Sequence, residues 1–180
     1  EAFNTLTTNL SLCGANIRCI MVTSCHETEG KSFASLNIAR TLAGLGHNVA
    51  LVDADIRRSV MISRYGVKGV EPKRSNGLVH YLAGMCEAED VLYSTNIEGM
   101  YYVPIGQTVM NSLALLNNTR MSDLVQYLLG FMNYVIVDAP PVGVIIDAVE
   151  IARYCDGTLF VVNYNDVHRK ELAEARQQIE

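Results

Sequence analysis

The sequence predicts an α/β fold, a mostly parallel sheet with helices on both faces. Three observations predict it. Short apolar runs and helical periodicities alternate from one end of the chain to the other. Three of the runs, CIMV, VALV and YVIV, are apolar at successive positions, the pattern of strands buried on both faces. The 180 residues are 49% hydrophobic and only 18% charged, the composition of a chain with a real core rather than of a disordered one.

The elements follow in order. Phe3, Leu6 and Leu10 form one stripe of an opening helix. A strand covers Arg18 to Thr23. Lys31 to Leu45 repeats apolar residues at helical spacing (Leu36, Ala39, Leu42, Ala43), with Gly46 as its C-terminal stop. Asn48 to Asp53 is the second strand. Tyr65 to Asn76, polar with Gly and Pro, reads as a surface loop. Short helices are expected from Gly77 and from Ala88, and a strand from Gly99 that Pro104 ends. Asn118 or Thr119 caps a helix reaching about Met132. Tyr134 to Asp138 is a strand, Asp147 to Tyr154 a helix, Thr158 to Asn163 a strand, and a charged helix starts at His168. Residues 1–180 read as a single domain, cut from a longer chain.

Composition excludes several functions. A net charge of −5 disfavours non-specific nucleic-acid binding, which depends on neutralising phosphates. No apolar run nears the ~20 residues of a membrane span. The five cysteines are odd in number and lack C-x-x-C spacing, so a zinc site or disulfide framework is unsupported. They read as reduced thiols packed as small apolar residues.

Between the first strand and the next helix lies Ser24-Cys-His-Glu-Thr-Glu-Gly-Lys-Ser32, where a phosphate-binding loop belongs. Backbone N–H groups of the turn and the helix start face a phosphate, and the helix dipole favours its charge. Thr28, Glu29, Gly30, Lys31, Ser32 and Phe33 are the candidate nucleotide-binding residues. Lys31 reaches the β- and γ-phosphates, and Ser32 ligates Mg²⁺. The full pattern has a glycine at position 25, where this chain has Cys25. An ordinary strand-to-helix turn with an exposed lysine is the competing reading.

Asp53 and Asp55 end the second strand, and Asp138 ends a later one. Ligands of open α/β sheets bind beyond these carboxyl ends. The three carboxylates are therefore expected on the same edge as Lys31 and Ser32. Ser32, Asp53 and Asp55 are the candidate Mg²⁺ residues, with Asp138 holding a metal-bound water. Lys31, Asp53 and Asp138 are the candidate catalytic residues, Asp53 accepting a proton from an incoming hydroxyl.

These residues resemble the bacterial tyrosine kinases, P-loop kinases that act with polysaccharide co-polymerases. The resemblance lies in Gly30-Lys31-Ser32, in VALVDADIR ending at Arg57, and in YVIVDAPP ending at Pro141. It extends to EAFNTLTTNL and SLALLNNTRM, and so to nearly the whole chain. It implies a P-loop fold, ATP and Mg²⁺ as cofactors, and transfer of the γ-phosphate to tyrosine on the chain itself and on partners. It further implies control of capsular or exopolysaccharide synthesis, a membrane co-polymerase or activator as partner, and a place in the cytoplasm at the inner face of the membrane. Arg57 gains standing from it.

The chain departs from the family at Cys25 and Thr28, where small residues or glycine are common, and carries no terminal tyrosine cluster. Asn4 and Thr7 replace two arginines of the family's opening helix, which weakens the expectation of a homo-oligomer built through that helix. Two alternatives stay open. One is a partition or division-site ATPase, although His26 stands where those proteins carry a signature lysine. The other is a nucleotide-binding scaffold without kinase activity. Tyr101 and Tyr102, adjacent on a strand, read as one packing and one surface residue, and the four histidines as solvated.

Overall fold

In the computed structural model, residues 2–14, 16–65, 76–108, 113–142, 147–164 and 166–179 are described. Strands β1 (Cys19–Ser24), β2 (Val49–Asp53), β3 (Tyr93–Ser94), β4 (Met100–Val103), β5 (Tyr134–Asp138) and β6 (Gly157–Val161) form one sheet in the order β3-β4-β2-β5-β1-β6. Every pairing is parallel except that of β3 with β4. The helices are α1 (Ala2–Leu12), α2 (Lys31–Gly44), α3 (Met61–Tyr65), α4 (Leu78–Leu82), α5 (Leu113–Leu116), α6 (Thr119–Leu129), α7 (Asp147–Ala152) and α8 (Arg169–Ile179).

The unbroken apolar runs are explained by two cores. Ile20, Val22, Val49, Leu51 and Ile136 face α2, with Ile38, Leu42 and Met61. Their neighbours Met21, Ala50, Val52, Val135 and Val137 face Leu78, Met121, Leu124 and Ile151 on the other side. Successive strand residues point to opposite faces, so a strand covered by helices on both sides has no polar position to spare. The three runs that predicted the sheet are β1, β2 and β5, its adjacent central strands.

Most boundaries agree with the sequence. Asn118 is the cap of α6, its side chain accepting the Arg120 N–H. Gly46 follows α2 with φ +90°, a conformation that suits glycine. Three differences stand out. Ala88–Val91 is a 3-10 turn, and the residues after it form the edge strand β3 instead of continuing a helix. The five-residue α3 and four-residue α5 are too short to show a period. Residues 66–75 of the expected surface loop lie outside the described residues. Helix α1 lays Phe3, Leu6 and Leu10 on the α2 side of the sheet, and Thr7 is buried, its hydroxyl donating to the Phe3 carbonyl at 2.9 Å. Among the described residues no helix is long and apolar enough to cross a membrane.

Candidate active site

The parallel strands bring Ser24, Asp53 and Asp138 to one edge of the sheet, with Asp53 and Asp138 directly opposite each other in register. The chain after Asp138 is fastened to β1: Thr23 donates its hydroxyl to the Pro140 carbonyl at 2.7 Å, and the Val142 N–H donates to Ser24 at 2.9 Å. A cleft of about 270 Å³ opens here, bounded by the phosphate loop, Asp55, Val60, Tyr65 and Pro141.

The loop ends at Gly30 (φ +92°), which has no side chain with which to cap α2. The first N–H groups of that helix, which have no intrahelical acceptors, are therefore left without a side-chain cap, as an anion site requires. Lys31 is only 8% exposed, and its Nζ lies 2.8 Å from Asp55 Oδ2 and 3.4 Å from Ser32 Oγ. Burial works to lower the Lys31 pKa, but the Asp138 and Asp55 carboxylates outweigh it and hold the ammonium above its ordinary value.

Asp53 and Asp138 are both buried. Burial raises each carboxyl. Repulsion from Asp138 adds to the rise at Asp53, whereas Lys31, Ser32 and Ser35 restrain it at Asp138. Asp53 reaches about 7 and Asp138 about 6. Ser35 donates to Asp138 Oδ1 at 2.9 Å. Ser59 Oγ and Tyr102 Oη both donate to Asp53 Oδ2, the phenol at 3.0 Å. Asp53 Oδ1 is buried with no hydrogen-bond partner.

The other candidates are placed as follows. Thr28 lies in the loop with φ +67°, a strained conformation for a β-branched residue. Glu29 turns its carboxylate away from the cleft, accepting the N–H groups of His26 (2.6 Å) and Asn163 (3.1 Å). Phe33 offers only its backbone to the site; its half-exposed ring packs against Phe3 and Tyr65. Cys25 is buried beside Val142, Ala148 and Ala175, so the residue at the missing glycine position fills a small apolar pocket. Arg57 pairs with buried Asp147 at 3.0 Å, which ties the segment after Asp55 to α7. The histidines are not merely solvated: His80 caps α4 by accepting the Gly77 N–H, and His26 lies 3.3 Å from Glu171.

Sequence reasoning missed Ser35, Ser59 and Tyr102. Ser35 had a signal, since it lies three residues after Ser32 on the same helix face. Tyr102 had none, because its role depends on β4 lying beside β2.

Comparisons with known proteins agree with this fold. Residues 20–174 match the CbiA family, described as the CobQ/CobB/MinD/ParA nucleotide binding domain. The "Tyrosine-protein kinase CpsD" of Streptococcus pneumoniae is 35% identical over the whole chain, which spans 78% of that protein. The kinase domain of the Escherichia coli tyrosine kinase ETK superposes with a TM-score of 0.91 at 28% identity, covering 99% of this chain and 69% of that one. The septum site-determining protein MinD of Pyrococcus horikoshii, at 24% identity and a TM-score of 0.68, shares the fold over 81% of this chain and 58% of its own. The chain thus belongs to the CobQ/CobB/MinD/ParA nucleotide-binding family and, within it, to the bacterial tyrosine kinases.

Proposed function

We propose that residues 1–180 form an ATP-dependent protein-tyrosine kinase domain, which moves the γ-phosphate of ATP to tyrosine on itself and on partner proteins. The observation that carries this reading is the meeting of Lys31, Ser32, Asp53, Asp55 and Asp138 in and beneath one cleft at the strand ends. Similarity over the full chain to a protein named a tyrosine kinase supports it, and favours it over an ATPase of the partition type.

The phosphates lie against the N–H groups of Gly30 to Phe33, with Lys31 leaving Asp55 to meet the β- and γ-oxygens. The donor set suits Mg²⁺: Ser32, Asp53 and Asp55 offer only oxygen, and Asp53 Oδ1 is an acceptor with no other partner. Among the described residues no group of three or more His, Cys, Asp or Glu side chains forms a metal cage. Mg²⁺ usually keeps several waters and needs only one or two protein carboxylates, so Ser32, Asp53 and Asp55 would suffice to hold it, with Asp138 nearby. Bound there, the ion supplies charge neutralisation across the β- and γ-phosphates. Asp53 takes the proton of the acceptor phenol. The Ser59 and Tyr102 hydroxyls fix its Oδ2. Most of the catalysis is positioning and charge stabilisation.

By its likeness to the family, the domain works in the cytoplasm at the inner face of the membrane. There it acts with a membrane polysaccharide co-polymerase in controlling capsular or exopolysaccharide synthesis. Any homo-oligomer uses contacts other than an arginine-bearing α1.

The test is incubation with ATP and Mg²⁺, followed by mass spectrometry for phosphotyrosine. Lys31→Met should abolish labelling; undiminished labelling, or rapid ATP hydrolysis with no phosphotyrosine, ends this reading.

A further inference from the structure

The two oxygens of Asp53 have opposite surroundings. Oδ2 accepts the Ser59 hydroxyl and, at 3.0 Å, the Tyr102 phenol. A carboxylate oxygen offers two lone pairs, so both places on Oδ2 are filled. Oδ1 has no partner, and among the described residues it is the only buried side-chain nitrogen or oxygen left that way. Such an acceptor is costly to bury unless a ligand meets it. Asp55 contrasts with it: Lys31 donates to its Oδ2 and the Arg58 N–H to its Oδ1.

The two donors come from unlike places. Tyr102 stands opposite Leu51 where β4 pairs with β2, and Asp53 is two residues further along the same face. Its ring is fully buried in the core that faces α2, so packing alone fixes where the phenol oxygen sits. Ser59 is half-buried on the segment that joins Asp55 to α3, and its bond ties that segment to the end of β2. Without these donors little would set the rotation of the carboxylate. The last torsion of an aspartate is broad and two-fold. Asp138, directly opposite on β5, repels the charge.

We propose that Tyr102 and Ser59 are positioning residues for the divalent cation: by filling Oδ2 they leave Oδ1 as the single oxygen with which Asp53 meets it. The proposal rests on the nucleotide and Mg²⁺ part of the reading above and not on the identity of the phosphate acceptor. Neither hydroxyl touches nucleotide or metal; both act through Asp53. Carboxylates that ligate metals are commonly held by such hydrogen bonds, and loss of one partner weakens metal binding about 10–100-fold.

The experiment measures Mn²⁺ binding to the ADP-loaded chain by electron paramagnetic resonance, and ADP binding without metal by calorimetry. Tyr102→Phe and Ser59→Ala should each weaken Mn²⁺ binding about tenfold or more while leaving metal-free ADP binding unchanged. Ser59→Thr, which keeps the hydroxyl, should bind Mn²⁺ as the parent does. Ser59 is half-buried, so Ser59→Ala reads the effect even if Tyr102→Phe folds poorly. Parental Mn²⁺ affinity in Ser59→Ala and in folded Tyr102→Phe overturns the proposal. An equal loss of metal-free ADP binding also overturns it, because the hydroxyls would then shape the cleft rather than serve the metal. A parent that binds ADP but no Mn²⁺ overturns it together with the Mg²⁺ site. A parent that binds both yet forms no phosphotyrosine from ATP overturns the kinase reading alone, and the Mn²⁺ losses in the variants then still support the proposal.

Discussion

Asp53→Asn should stabilise the protein at pH 8 while ending phosphate transfer. Asp53 and Asp138 face each other across adjacent parallel strands, both buried. Burial, then repulsion from Asp138, lifts the Asp53 carboxyl from 3.8 to about 7. The folded protein therefore holds this proton more tightly than the unfolded chain does. The associated stability is complete below about pH 4 and is lost as pH rises through about 7. The difference between the two values corresponds to about 4 kcal/mol lost by pH 8. Asparagine keeps a carbonyl oxygen for Ser59 and Tyr102, but it sets an amide N–H₂ where Oδ1 has no partner, at a cost of about 1–3 kcal/mol. The balance is a gain of about 2 kcal/mol at pH 8, or about 4–8 °C in Tm for a chain of this size. Thermal unfolding without added nucleotide or metal, at pH 8 and pH 5, is the assay. At pH 5 the unfolded carboxyl is already mostly ionised, so about 2 kcal/mol of that loss has accrued; the amide penalty offsets it, and the variant should melt close to the parent. An equal gain at both pH values, or none at pH 8, refutes the electrostatic argument.

Tyr102→Phe removes one of two donors that lower the Asp53 pKa, so the pH-dependent loss of stability should move to higher pH, with about 1 kcal/mol lost near neutrality; unfolding curves across pH 5–9 check both. Thr28→Gly relieves a left-handed β-branched residue, worth about 1–2 kcal/mol, against about 0.5–1 kcal/mol for the added chain entropy; a small rise in the urea midpoint is expected. Gly77→Ala would set a Cβ 2.2 Å from the Gly106 nitrogen, backbone that has no rotamer with which to yield. A loss of about 3 kcal/mol by chemical denaturation is expected.

The central sheet was legible because its chemistry is local. A strand covered on both faces must be apolar at every position, and β1, β2 and β5 announce themselves that way. The same locality exposed Asp53, Asp55 and Asp138, since the first polar residue after such a run falls at the edge where the parallel sheet gathers its ligands. What stayed hidden depends on partners distant in sequence. Strand β3 has two residues and exists only because Tyr93 and Ser94 pair with Tyr102 and Tyr101. Tyr102 looked like packing, and it does pack; that its hydroxyl reaches Asp53 follows from β4 adjoining β2. Glu29 and Phe33 belong to the phosphate loop by position, but their side chains are turned to other work.

Those side chains explain how a loop with two glutamates and no first glycine can still receive a polyanion. Glu29 spends its charge on the backbone N–H groups of His26 and Asn163, on the outer side of the loop. Glu27 is met by Arg58 Nη1 at 2.7 and 2.6 Å. Both members of that pair are well exposed, so it adds about 0–1 kcal/mol to stability. Its consequence is electrostatic, cancelling a negative charge beside the cleft. His26, at the position of the partition-type lysine, leans on Glu171 of α8, whose carboxylate also accepts the His168 N–H. The loop's outer surface is thereby knitted to the β6–α8 connection. Its inner surface is left to Lys31 and the helix N–H groups, the part of the loop that phosphate chemistry requires.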